Sequence, residues 1–252
     1  MNLMELRYSK AHLDAAPRHH RLAFLGLAQI SNESSLLIRL SLASLNSMEG
    51  NQAVRDMAQS GALFALRMLA GHVSESRLFV DTLEVSSAFR ELREWTAENH
   101  PAMSELVDVA VAGRAALAEA IPKRGLIRRL RHEASFHVDP DLIEASFNRL
   151  PDEMVLIDHH AVEVGNSIFG AAETLHLTAL AHLLGEPDVQ TALNEALSQI
   201  TDAAGHLADF INGFAVAFSL RHLGLQRGMP RLEVPSQSLS DIRFPLFVHD
   251  AE

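Results

Sequence analysis

Cysteine is absent from the 252 residues, which removes disulfides, thiolate metal sites and cysteine nucleophiles and fits a reducing compartment. Aromatic residues are scarce at 6%, with one Trp and one Tyr, while Leu and Ala are abundant. That balance favours closely packed helices over a sheet rich in Val, Tyr and Thr. Long apolar runs are missing too. The longest nearly apolar stretch, Phe210 to Leu220, is about half of what a bilayer span needs. The first twenty residues, MNLMELRYSKAHLDAAPRHH, carry no apolar targeting core. These features lead us to expect a soluble cytoplasmic protein with no membrane partner. Cations are in deficit as well: 21 Lys and Arg against 32 Asp and Glu give a formal net charge of -11. Broad coating of a polyanion is therefore excluded, and any such contact must be local. Phosphate-cradling glycine loops, dinucleotide fingerprints and nucleophile elbows are not found.

What is present is helical periodicity. A hydrophobic content of 48% over this length can bury a substantial core, in one large domain or two tightly packed halves. From Pro17 to about Ser47 the chain has no further proline and recurring leucines, among them Leu22, Leu25, Leu37 and Leu40, which predicts one long helix. A second is expected from Val54 to about Ser86, with Gly61 and Gly71 placed for close helix contact. A short charged piece, FRELREWTAE, separates it from a helix over Met103 to Ala120. Asn166 or Ser167 can cap a helix reaching Leu184, and Gly185-Glu186-Pro187 ends it. From Asp188 onward, Leu193, Leu197, Ile200, Ala204, Leu207, Ile211, Phe214 and Phe218 recur in steps of four and three, the stripe of a helix packed along its length. Intramolecular core is the commoner use of such a stripe, and a dimer seam is the other.

The runs MVLID and AVEV, separated by His159-His160, predict a small hairpin and the one sheet in the chain. The expected fold is thus an all-α, multi-helix bundle with one short β-hairpin. The bundle would cover residues 1–225, with a subdivision near 151–166, and residues 226–252 would form an irregular tail.

The chain's sign of charge reverses in KRGLIRRLRHEASFH, residues 123–137. Lys123, Arg124, Arg128, Arg129 and Arg131 precede the first carboxylate there, and the segment closes on His137. Arg124, Arg128, Arg131 and Ser135 share one helical face, beside an apolar stripe of Ile127, Leu130, Ala134 and Val138. Arginines next to an imidazole suit an anionic substrate: guanidinium grips two phosphate oxygens, and imidazole moves protons near neutral pH. Asp139-Pro140 predicts a cap and a first-turn proline, so a separate helix should run from Pro140 to about Arg149.

The string RHEASFH, Arg131 to His137, resembles the signature of the HEPN superfamily: an arginine, a polar residue, and a histidine a few positions later. The wider string IRRLRHEASFHVDPDLIEASFNRL is similar to a pattern in uncharacterised bacterial helical proteins, with His132 where those have Asn. The likeness spans roughly Gly125 to Leu150. It implies a helical bundle, often dimeric, with metal-independent endoribonuclease activity and no cofactor. It also implies that Arg131 holds the scissile phosphate, His137 acts as general acid or base and His132 orients them, with Arg124, Arg128 and Arg129 binding substrate. A toxin or antiphage effector, with an antitoxin as partner, is the setting the likeness suggests.

On an ideal helix, positions six apart point about 120° from one another. Arg131 and His137 therefore meet at one phosphate only if the helix breaks, as Pro140 favours, or if two subunits share the site. We expect a homodimer. The competing expectation is a noncatalytic all-α interaction or nucleotide-binding protein. Two weaker constellations remain. Glu173 and His176 have the Glu-x-x-His spacing of bundle metal sites, with His182 and the Asp202/His206 pair on later helices. No second Glu-x-x-His accompanies them, so no metal is expected. Asp158-His159-His160 reads as a solvated hairpin tip.

Overall fold

A computed structural model describes residues 2–123, 125–131, 140–161, 167–225, 231–235, 238–243 and 246. Nine helices lie among them: α1 (Lys10–Ala15), α2 (Arg18–Leu45), α3 (Gln52–Val80), α4 (Leu83–Asn99), α5 (Ser104–Ala120), α6 (Leu126–Arg129), α7 (Pro140–Phe147), α8 (Gly170–Leu184) and α9 (Val189–His222). The fold is all-α with a short β-hairpin, as the composition implies.

The chain divides into two units. Unit 1 holds residues 1–34, 72–121 and 202–236, and unit 2 holds 35–71, 122–201 and 237–252. The divisions therefore fall within α2, α3 and α9, and residues 151–166 lie wholly inside unit 2.

The core of unit 1 is aromatic. Phe210, Phe214 and Phe218 of α9 are fully buried. Phe218 stacks on Phe24 of α2 with ring centroids 4.1 Å apart, and Phe210 meets Phe89 of α4 edge-on at 5.0 Å. Two glycines let α5 and α9 approach. A Cβ on Gly213 would stand 2.4 Å from the Ala110 Cβ and 2.8 Å from the Leu106 carbonyl, and one on Gly113 would stand 2.8 Å from the His206 carbonyl. The crossing thus depends on the missing side chains at both positions.

Unit 2 packs α8 against α7 and α6. Ala179, Leu180, Ala181 and Leu183 of α8 are buried, as are Leu63, Leu66 and Leu69 of α3 and Ala192, Ala196 and Ile200 of α9. Gly185, in the left-handed conformation at φ 72°, closes α8. Asp188 starts α9 by accepting the Thr191 amide at 2.8 Å. The expected close contact at Gly61 is present, since a Cβ there would meet the Ser44 hydroxyl at 2.8 Å.

The α9 stripe behaves as core within the chain: Ile200, Ala204, Leu207, Ile211, Phe214 and Phe218 are all buried. By length and composition alone α9 is the one helix among the described residues that would cross a membrane, and 56% of that window is buried inside the protein.

Several details differ from expectation. Leu22 and Leu25 are 41% and 44% exposed, and the buried face of α2 is instead Ala23, Phe24 and Leu27. Helix α3 stops at Val80, because Thr82 is extended and accepts the Val85 amide to start α4. The charged piece FRELREWTAE lies within α4, where Val85, Phe89, Leu92 and Thr96 form a buried face and the charges take the other side.

The hairpin pairs Asp158–His159 (β2) with Ile168–Phe169 (β3), Asp158 opposite Phe169. His159 is thus a strand residue and not a tip. Of MVLID only Asp158 enters a strand, since Val155, Leu156 and Ile157 are exposed and a β-prone run needs a surface to cover. In AVEV, Val162, Glu163 and Val164 lie outside the described residues. The C-terminal stretch, read as irregular, contributes a strand. Arg231–Glu233 pairs antiparallel with Asn2–Met4, a second two-stranded sheet that no sequence alternation announced.

The glycine contacts yield a stability test. Gly213→Val should lower stability by about 1–3 kcal/mol through overpacking. Gly205→Ala meets nothing within 4 Å and should raise it by up to about 1 kcal/mol through helix propensity. Chemical denaturation followed by circular dichroism distinguishes the two signs.

Candidate functional site

The cationic segment belongs to unit 2. Gly125, in extended conformation, leads into the single turn of α6, which widens into a π-type turn at Leu130 and Arg131. The turn is held by its apolar side, where Leu126, Ile127 and Leu130 are buried. This alternation puts Arg128, Arg129 and Arg131 half-buried at the edge of the unit. The Arg129 guanidinium donates to the Leu183 carbonyl near the C-terminus of α8, where a cation complements the helix's exposed carbonyls. Arg128 differs: its Nε is buried and has no hydrogen-bond partner among the described residues.

Of the residues singled out in sequence, Arg128, Arg129 and Arg131 thus share one turn. Arg124, His132 and His137 lie outside the described residues, as do Ala134, Ser135 and Val138 of the two predicted faces.

The Glu173/His176 pair is also in unit 2, on the first turns of α8. Ser60 Oγ donates to Glu173 Oε1 at 2.9 Å. Glu173 Oε2 and His176 Nδ1 are 4.0 Å apart, and both are buried without a hydrogen-bond partner among the described residues. Burial works to raise the Glu173 carboxyl, but His176, the Ser60 hydroxyl and the Arg67 charge outweigh it and hold it below the ordinary range. Glu173 lines a cavity of about 190 Å³ together with Asp56, Gln59 and Ile157. Asp56 accepts from His159 Nε2 at 3.0 Å. His182 is on the last turn of α8, whereas Asp202 and His206 belong to unit 1.

Unit 1 holds a polar cluster that the sequence reading missed. His19 and His20 lie in the first turn of α2 and both reach Glu91 of α4. His19 Nε2 donates to one carboxylate oxygen at 3.1 Å and His20 Nε2 to the other at 3.0 Å. The second nitrogen of His20, Nδ1, shares a hydrogen bond of 3.0 Å with His222 Nε2, near the end of α9. His20 is fully buried. Arg221 donates to the Glu91 carbonyl at 3.3 Å and lies over the Trp95 ring at 5.7 Å.

Burial, with the neighbouring His20 and Arg221, pushes His222 down to about 4. Burial also lowers His20, against the pull of Glu91. Glu91 itself is held below the ordinary range by its two histidine donors, which exceed the opposing effect of burial. Both inner rings are thus neutral near pH 7. A neutral His20 that donates from Nε2 must accept at Nδ1, so His222 donates from Nε2.

The signals available in sequence were the dipeptides His19-His20 and Arg221-His222. Nothing in their spacing joined them, since 71 and 202 residues separate His20 from its partners. No protein-family model, curated protein or solved structure matches the chain.

The depressed histidines set a direction for acid sensitivity. In the unfolded chain each ring titrates near about 6.5, whereas folded His222 takes its proton only at about 4. Between those values the unfolded state binds more protons, so stability should fall as the pH drops through that window. Trp95, the single tryptophan, reports on unit 1. Denaturation followed by its fluorescence should show this loss in the native chain and a flatter dependence in His222→Phe.

Proposed function

We propose that the chain is a metal-independent endoribonuclease or RNA-binding protein of HEPN type, acting through the arginines of the α6 turn. The observation that carries this reading is Arg128, whose Nε is buried beside two further arginines and has no acceptor among the described residues. An unsatisfied buried donor costs about 1–3 kcal/mol, more when the group is charged. A phosphate oxygen would relieve that cost if the side chain turned its Nε outward on binding. Burial of Leu126, Ile127 and Leu130 fixes the turn from its apolar side, so binding would not have to order it.

In this reading Arg131 grips the scissile phosphate and stabilises the charge that develops on it. His137 moves the proton of the attacking ribose 2′-hydroxyl, and His132 orients the pair. Arg124 and Arg128 extend the grip along the backbone. Arg129 already serves the Leu183 carbonyl, so its share in binding is the smallest. A homodimer that brings two such segments together would supply both chemical groups at one phosphate. The proposed setting is the cytoplasm, as a toxin or antiphage effector restrained by an antitoxin.

Labelled RNA incubated with the purified protein in chelator tests the reading. Cleavage by the native chain should disappear in Arg131→Ala and in His137→Ala, with helicity retained in both. Arg128→Ala should weaken RNA binding and make the slope of log affinity against log salt shallower by roughly one. Binding without cleavage in all variants would favour the noncatalytic reading, in which the turn holds RNA or a nucleotide without turning it over. Light scattering that gives the mass of a single chain, with RNA present and absent, would remove the shared-site arrangement.

A further inference from the structure

We propose that His19, His20 and Glu91 form a binding site for one divalent transition-metal ion of the zinc, cobalt or nickel kind. The donor atoms of these three residues all lie within 4.8 Å of one another. They come from two helices of the same unit, and the inference is independent of the RNA reading, which concerns unit 2.

The geometry is close to that of a coordination sphere. Donors about 2.1 Å from a tetrahedral ion stand roughly 3.4 Å apart. His19 Nε2 stands 3.1 Å from Glu91 Oε1 and His20 Nε2 stands 3.0 Å from Oε2. Rotation of the carboxylate, with these contacts opening by a few tenths of an ångström, would bring one oxygen to an ion held by both rings. The donor set is two imidazole nitrogens and one carboxylate, which suits borderline-soft ions and disfavours magnesium and calcium, whose preference is for oxygen alone. His19 and Glu91 are 33% and 41% exposed while His20 is fully buried. The ion would therefore be anchored on its inner side and keep its remaining positions open to water.

His222 provides the support that metal-bound histidines characteristically have. With an ion on His20 Nε2, the ring proton moves to Nδ1, which then donates to His222 Nε2 across the existing 3.0 Å contact. His222 then carries its one proton on Nδ1, having given up the Nε2–H with which it donated in the metal-free state. Each imidazole retains one N–H, so loading needs no net proton loss from the cluster. The orientation of His20 is thereby set before the ion arrives. Arg221 is the adverse feature, a cation nearby, but its guanidinium is committed to the Glu91 carbonyl and the Trp95 face.

The full chain, stripped with chelator, would be titrated with Zn(II) by calorimetry and with Co(II) by visible absorption. One ion per chain is expected. His19→Ala and Glu91→Gln, both at partly exposed positions, should weaken binding by about ten- to a hundredfold or more with circular dichroism unchanged. His176→Ala, a control in a chain with 14 histidines, should leave it unaffected. Nitrogen-15 spectra of the imidazole rings should show His20 change from the Nε2–H to the Nδ1–H form on Zn(II) addition. No saturable binding, equal affinity in native, His19→Ala and Glu91→Gln proteins, or loss only in His176→Ala would each overturn the site.

Discussion

The close passage of α5 and α9 is the constraint on which unit 1 depends. Gly113 and Gly213 bring backbone against backbone, so that the Leu106 and His206 carbonyls stand where a side chain would otherwise begin. Phe210, Phe214 and Phe218 are drawn in with α9 and fully buried. Phe24 and Phe89 then meet them from α2 and α4. Aromatic residues are few in this chain, and five of its 12 phenylalanines pair here, Phe24 with Phe218 and Phe89 with Phe210 and Phe214. The edge and stacked geometries of these rings add attraction beyond area burial.

Burying polar groups in the same unit is tolerated because nearly every one is answered. His20 has both ring nitrogens engaged, Thr96 returns its hydroxyl to the Leu92 carbonyl, and Ser76 does the same with His72. Such closure matters more than the number of bonds, since an unanswered donor keeps the whole desolvation cost. The His20–Glu91–His222 chain also ties α2, α4 and α9 together at one point, which nonpolar packing alone does not specify so narrowly. Unit 2 is less complete: Arg128 Nε, Glu173 Oε2 and His176 Nδ1 are all buried without a hydrogen-bond partner among the described residues.

Much of the helical plan was legible in sequence because it rests on local chemistry. Pro17, Asp188 and Gly185 mark helix ends through φ restriction, amide capping and a left-handed residue, and each does so here. The α9 stripe was legible because a buried helix face repeats every three or four residues. The buried face of α2 was not, because its small residue Ala23 and polar residue His20 pack inward while Leu22 and Leu25 remain exposed. Hydrophobicity ranks residues by what burial would gain, and here the position of α4 and α9 decided which face was used. The charged run of α4 misled for the opposite reason, since its salt-forming residues are the solvent face of a helix whose other side is apolar. The strand pair of Asn2–Met4 and Arg231–Glu233 rests on backbone hydrogen bonds across the length of the chain and leaves no pattern in side chains. The arginine turn was legible because its residues are contiguous, and the histidine–glutamate cluster was not because only folding brings it together.

The scarcity of cations gives their placement meaning. With 32 acidic residues for 21 basic ones, carboxylate partners are plentiful. Arg7, Lys10, Arg21, Arg77, Arg93 and Arg114 each have one within 4 Å. Arg129 has taken a carbonyl instead, at the end of α8. An acceptor for Arg128 was therefore not hard to provide, yet its Nε is buried without one among the described residues. Surface pairs of this kind contribute little to stability, so their abundance does not explain the fold. Arg77 Nε is likewise buried without a hydrogen-bond partner among the described residues, but its guanidinium has Asp81 at 3.1 Å. A guanidinium left incomplete in an acidic protein, next to Arg129 and Arg131, concentrates positive potential at a place where the rest of the molecule repels anions. An anion near that turn meets three positive charges, whereas one that approaches elsewhere meets net negative charge. A local cluster of cations and a surplus of carboxylates elsewhere are, on this chain, two sides of the same distribution of charge.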